Sequence, residues 1–170
     1  MGSSEHFLLN EKNQARKKQP VCKEAGALAS FVLTASKHYP PYIVIDLHED
    51  ESKRDTYIYV NSELKEKDPV AEKVIKILRK NHVSLQKTKK TRFNEEIIDG
   101  MAINVQDGSI DELLAAKKIV IKNNIRKGPS CPHVVVVETI ALDIPLHKRI
   151  ATHKQIIDSL EDMWNEISKT

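Results

Sequence analysis

Hydrophobic positions along the chain fall into short blocks with two different periods. Val21, Ala25, Leu28 and Val32 recur at helical spacing and predict a helix from Val21 to about His38. "HYPPY" stops it, because proline disfavours helical geometry in the residue before it. Residues 42–47 form an apolar run with three β-branched residues, the pattern of a strand buried on both faces. "TYIYV", residues 56–60, predicts a second strand. Asp68-Pro69 opens a helix, with aspartate as cap and proline in the first turn, and Val70, Val74, Ile77 and Leu78 form its apolar face. "GMAINV" predicts a further strand. "DGSIDELLAAKK" is a turn leading into a helix, where Ser109 followed by Glu112 fits a capping box. "HVVVVE", residues 133–138, has the strongest strand pattern in the chain. A long helix closes the sequence. In it Leu146, Ile150, His153, Ile157, Leu160 and Trp164 alternate steps of four and three along one stripe.

Alternating helices and buried strands imply an α/β fold: three layers, with a mainly parallel, mixed sheet covered by helices on both faces. No internal repeat is visible. Residues 1–20 are mostly polar and read as an irregular leading segment, and residues 21–170 read as one α/β domain.

The chain has 170 residues, of which 40% are hydrophobic and 30% charged, enough for one domain with a proper core. Its net charge of +3 comes from interleaved signs. The richest basic stretch, "LQKTKKTR", lacks aromatic interleaving and reads as a solvated loop, so no nucleic-acid partner is expected. Cys22 and Cys131 form no Cys-x-x-Cys pair. With no signal peptide or membrane-spanning run evident, a reduced, cytoplasmic setting and no membrane partner are expected.

In parallel sheets ligands gather beyond the carboxyl ends of the strands. Two strands here run into ionisable residues: one into His48 and Glu49, the other into Glu138. A neutral His48 imidazole suits zinc, but the same ring could simply close a strand end on backbone groups. Asp46, two residues earlier, shares its side of an extended strand and could orient the His48 ring, or be a buried aspartate satisfied by loop amides. Glu138 could be a general base that activates water, or a structural carboxylate paired with Arg149 or Lys148. His153 lies on the apolar stripe and reads as a satisfied core histidine.

In order, "IDLHED", "DGSIDELL" and "VVVVET" resemble the zinc carboxypeptidase superfamily, in particular its succinylglutamate desuccinylase and aspartoacylase-like branch. The likeness covers roughly residues 21–160 and corresponds to the C-terminal part of such a domain. It implies that His48 is the last zinc ligand and Glu138 the glutamate that activates the metal-bound water. Gly108, Ser109 and Asp111 match the turn lining the substrate pocket. In "NQAR", Asn13 and Arg16 stand where the family often binds a substrate carboxylate. The family's upstream His-x-x-Glu is missing. The sole literal match is His48-x-x-Glu51, which makes Glu51 a second candidate ligand. Ile103 and Asn104 stand in place of the pocket tyrosine.

Two functions follow. One is a zinc-dependent hydrolase of an amide or peptide bond next to a free carboxylate, with a truncated or incomplete metal site. An oligomeric partner, or a missing N-terminal portion, would complete that site. The other is a non-catalytic fragment or degenerate scaffold that acts by binding, since a fold alone confers no activity.

Overall fold

A computed structural model describes residues 9–10, 14–16, 22–51, 55–91, 95–103, 108–121 and 124–169. In chain order the elements begin with β1 (Leu9–Asn10), β2 (Gln14–Arg16), α1 (Lys23–His38), β3 (Ile43–Asp50) and β4 (Tyr57–Asn61). After a short 3-10 turn come α2 (Pro69–Lys80), β5 (Thr88–Lys90), β6 (Glu96–Ile98), β7 (Met101–Ile103) and α3 (Ile110–Ala115). The remainder is β8 (Lys118–Ile121), β9 (Asn124–Lys127), β10 (His133–Ile140), α4 (Leu146–Asp158) and α5 (Leu160–Ile167). The chain divides into two compact units, residues 1–44 with 105–134 and residues 45–104 with 135–170.

In the first unit a four-stranded sheet has the order β1-β2-β8-β9. β2 and β8 pair in parallel, and the outer pairs are antiparallel. Two short strands therefore arise within the leading segment that the sequence marks as irregular. The core of this unit is small: Ala29 of α1 packs with Leu113, Ala116 and Ile119, backed by Leu33 and Ile110. Helix α1 forms where expected, but its inward face is shifted. Ala29 is buried, whereas Leu28 and Phe31 are exposed. Here the small side chains face inward, so the large apolar residues did not mark the packed side.

The second unit is built on a six-stranded sheet, ordered β3-β10-β4-β7-β6-β5. Pairing is again mixed, with β4 parallel to β7 and β5–β6–β7 antiparallel. The expected α/β class with a mixed sheet thus holds. β4 and β10 form its buried centre; every residue of β4 is buried, as are seven of the eight in β10. β3 differs from expectation. No residue of it is fully buried, because it is the sheet's edge strand, and it continues through His48 and Glu49 to Asp50. A charged end on an edge strand discourages pairing with another chain, which gives its acids a structural role. The basic stretch read as a solvated loop contributes β5, the opposite edge.

Helix α2 shows how local chemistry fixes an element. Asp68 is fully buried, and its Oδ1 accepts hydrogen bonds from Val70 N (2.9 Å) and Ala71 N (3.0 Å), while Pro69 occupies the first turn. Val70, Val74, Ile77 and Leu78 are buried, as their spacing predicts. Asp68→Ala is expected to cost about 2 kcal/mol, the upper range for a lost N-cap, because two amides would lose their acceptor inside the protein. A urea melt at unchanged slope checks this, and a midpoint equal to wild type would refute it.

The long C-terminal helix divides at Ser159 into α4 and α5. Its inward residues are Thr152, Ile156, Met163 and Ile167. Most of the apolar stripe read from the sequence lies outside, with Leu146, Ile150, Ile157 and Trp164 exposed. No helix among the described residues is long and apolar enough to cross a membrane.

Candidate functional site

The sheet of the second unit decides where the candidate residues point. Ala141 N donates to Asp50 O (3.2 Å), so β3 and β10 end side by side. On β10, Thr139 Oγ1 meets His153 Nε2 of α4 at 2.8 Å. On β3, Glu49 accepts a hydrogen bond from Arg149 of the same helix. Thr139 and Glu49 therefore face α4. Side chains alternate along a strand, so Glu138 and His48 both face the other way. Two adjacent strands thus present them on one face of one sheet.

Asp46 shares that face. His48 Nε2 lies 2.8 Å from Asp46 Oδ2, and about half of the His48 side chain is exposed. A carboxylate that holds one ring nitrogen fixes the orientation of the imidazole. Glu51 follows β3 in an exposed bend.

Glu138 is the one residue of β10 that is only half-buried. Arg149, one of the two partners expected for it, bonds Glu49, which faces α4. Glu138 stands near two buried tyrosines that sequence reasoning missed. Tyr57 and Tyr59 of β4 meet edge-to-face, with ring centroids 5.3 Å apart and hydroxyl oxygens 3.4 Å apart. The Tyr59 hydroxyl is pushed far above its ordinary value, mainly by burial, then by its hydrogen bond with Tyr57 and by the nearby charges of Tyr57, Glu95 and Glu138. It stays protonated. The alternation in "YIY" already places both tyrosines on one side of a strand; only the strand order brings Glu138 to them.

The remaining candidates belong to other elements. Ser109 and Asp111 belong to the first unit. Ser109 caps α3, accepting from Glu112 N at 3.4 Å, while the buried Glu112 carboxylate accepts from Gly108 N at 3.1 Å. Ser109 caps the helix as expected, and Glu112 accepts in return from the amide before the cap, on Gly108, whose φ of +76° favours glycine. Asp111 is buried. Arg16 lies in β2, opposite Val120 of β8. Asn13 lies outside the described residues.

His153 is the satisfied histidine that its place on the helix implied. Burial lowers its pKa from the ordinary value near 6.5; Glu49 opposes that shift and Arg149 adds to it. The unfolded chain then takes up this proton before the folded one does. Stability from His153 is complete above the unfolded value and is lost as pH falls through it towards the lower folded value. Urea midpoints of wild type and His153→Gln should therefore differ in slope between neutral and mildly acidic pH, with wild type falling more steeply. Parallel curves would show that His153 does not contribute.

Among the described residues, no group of three or more His, Cys, Asp or Glu side chains is placed to hold a metal ion. A catalytic zinc needs three protein ligands. His48 and Asp46 are a pair, so the described donors do not amount to a zinc site.

No protein-family model matches the sequence, and no curated protein matches it. Two crystal structures share its fold. One is a "putative metallopeptidase" from Shewanella baltica OS155, with a TM-score of 0.65 and 16% identity, covering 90% of this chain and 51% of that one. The other, given the same description, is from Shewanella amazonensis SB2B, with a TM-score of 0.69 and 16% identity over 92% and 53%. This chain spans about half the length of both. At that identity the likeness shows the fold, which is metallopeptidase-like.

Proposed function

We propose that this chain carries part of the active centre of a metal-dependent amide hydrolase: Glu138 as the proton acceptor and His48, oriented by Asp46, as one metal ligand. The observation behind this reading is that His48, Asp46 and Glu138 share one face of adjacent strands in a metallopeptidase-like fold. The zinc carboxypeptidase resemblance adds the reaction class, cleavage of a peptide or N-acyl bond next to a free carboxylate, and suggests the succinylglutamate desuccinylase-like branch. Within it, Glu51 is a candidate ligand, and Asn13, Arg16, Ser109 and Asp111 are candidates for holding the substrate. Because the described donors fall short of a zinc site, the missing ligands come from outside the described residues or from another chain.

Glu138 has the features of a general base: it is half-buried and on the same face as His48. The competing reading, a scaffold that binds without chemistry, is favoured by the absence of a three-donor group among the described residues.

Zinc titration of the purified chain separates them. Weak binding that disappears in His48→Ala supports the partial site. Equal binding by wild type and His48→Ala excludes His48 as a ligand and removes the metal-site reading. Stoichiometric zinc that survives dialysis against a chelator would mean that this chain holds a complete ligand set.

A further inference from the structure

The outer stripe of α4 and α5 leaves five large apolar residues exposed. Leu146, Ile150, Ile157, Leu160 and Trp164 are each between 39% and 59% exposed. The two helices are joined by Ser159, whose N donates to Gln155 O (3.2 Å) and whose O accepts from Met163 N (3.0 Å). The inner face is already occupied. Thr152, Ile156, Met163 and Ile167 are buried, Gln155 accepts from Asn81 of α2 at 2.7 Å, and His153 meets Thr139. The exposed residues form a second apolar flank at steps of three, four and seven, the narrow seam by which two helices pair.

Charge indicates what covers it. From Leu146 to Ile157 the charged residues are Lys148, Arg149 and Lys154, with no acid. From Asp158 to Ile167 they are Asp158, Glu161, Asp162 and Glu166, with no base. Glu161 and Asp162 stand in the first turn of α5, where acids suit the helix dipole. The order is also self-complementary: a second copy laid antiparallel sets the basic α4 of each chain against the acidic α5 of the other. Lys154 and Glu161 flank the seam on either side of Ile157. In that pairing each lies close to the other's counterpart. Part of this charge also serves within the chain, as in the Lys154–Asp158 pair at 2.6 Å, but Lys154 and Asp158 remain 70% and 57% exposed there.

We propose that the chain self-associates through an antiparallel, twofold pairing of α4–α5, with Ile150, Ile157 and Trp164 in the seam and Lys154 facing Glu161 of the second copy. The inference is independent of the hydrolase reading. In a twofold interface every substitution counts twice.

Light scattering and sedimentation of the full chain, from sub-micromolar to hundreds of micromolar, should show the mass rising from 19.3 kDa to twice that value. Emission from Trp164, the single tryptophan, should shift to the blue over the same range. Ile157→Glu, at an exposed position that the fold tolerates, should weaken association about a hundredfold. Lys154→Glu and Glu161→Lys should each weaken it several-fold, while an equimolar mixture of the two, and the double variant, should recover it. A wild type that remains monomeric throughout overturns the proposal and leaves the stripe to a different chain. A dimer unaffected by either single charge reversal also overturns it, because in a parallel pairing neither reversal creates a new repulsion.

Discussion

Glu138→Gln is expected to lower amide hydrolysis by about 10²–10⁴-fold, the usual share of a positioned general base. Glutamine keeps the shape of the side chain and cannot accept a proton at neutral pH. The natural assay is a panel of N-acyl amino acids and peptides with free C-termini, with added zinc. A structural carboxylate would behave differently. Arg149, the obvious ion-pair partner in sequence, is engaged by Glu49 on the other face of the sheet. Glu138 instead adds negative charge beside Tyr59, where Glu95 already contributes. A urea melt of the variant at unchanged slope separates the two readings. A clearly lower midpoint with hydrolysis unchanged would make Glu138 a structural residue and withdraw the catalytic reading.

Gly128→Ala is expected to destabilise the fold by about 3 kcal/mol, the upper part of the range for overpacking. A Cβ at this position would lie 1.9 Å from the carbonyl oxygen of Ala116 and 2.8 Å from its carbonyl carbon. Both are backbone atoms, and no rotamer change relieves the contact. The Ala116 carbonyl also accepts from Ser130 N (3.1 Å), and Gly128 N donates to Lys117 O (2.9 Å), so the two segments are tied together. Ala116 belongs to the small core with Ala29, Leu113 and Ile119. Moving the backbone apart would open that core as well. Thermal or urea unfolding measures the loss, and a variant as stable as wild type would show that the close approach is not maintained.

The sequence by itself determined what depends on neighbours within a few residues. Asp68-Pro69 starts α2 because an aspartate oxygen and a proline act within one turn, and Ser109 with Glu112 closes the start of α3 for the same reason. The four valines of β10 specify a buried strand through β-branching and apolarity alone. The pairing of Asp46 with His48 was also legible, since positions two apart on any extended strand share a side.

Tertiary structure decided everything that depends on which neighbour covers a residue. The apolar run of β3 looks like a central strand, yet strand order makes it an edge, and no local property records strand order. The stripe of the last helix was correctly periodic and assigned to the wrong side. Its full apolar sector is wider than one contact, and the placement of α2 and the sheet selects which half is buried. Strand β8 had a signal in "KIVI", but four residues are too few to separate a strand from the end of a helix by periodicity. The partner of Arg149 was settled by parity: Glu49 and Glu138 lie on opposite faces of adjacent strands, and helix α4 covers only one of them. For the candidate site, the sequence supplied the residues, and the parallel ends of β3 and β10 put them on one face.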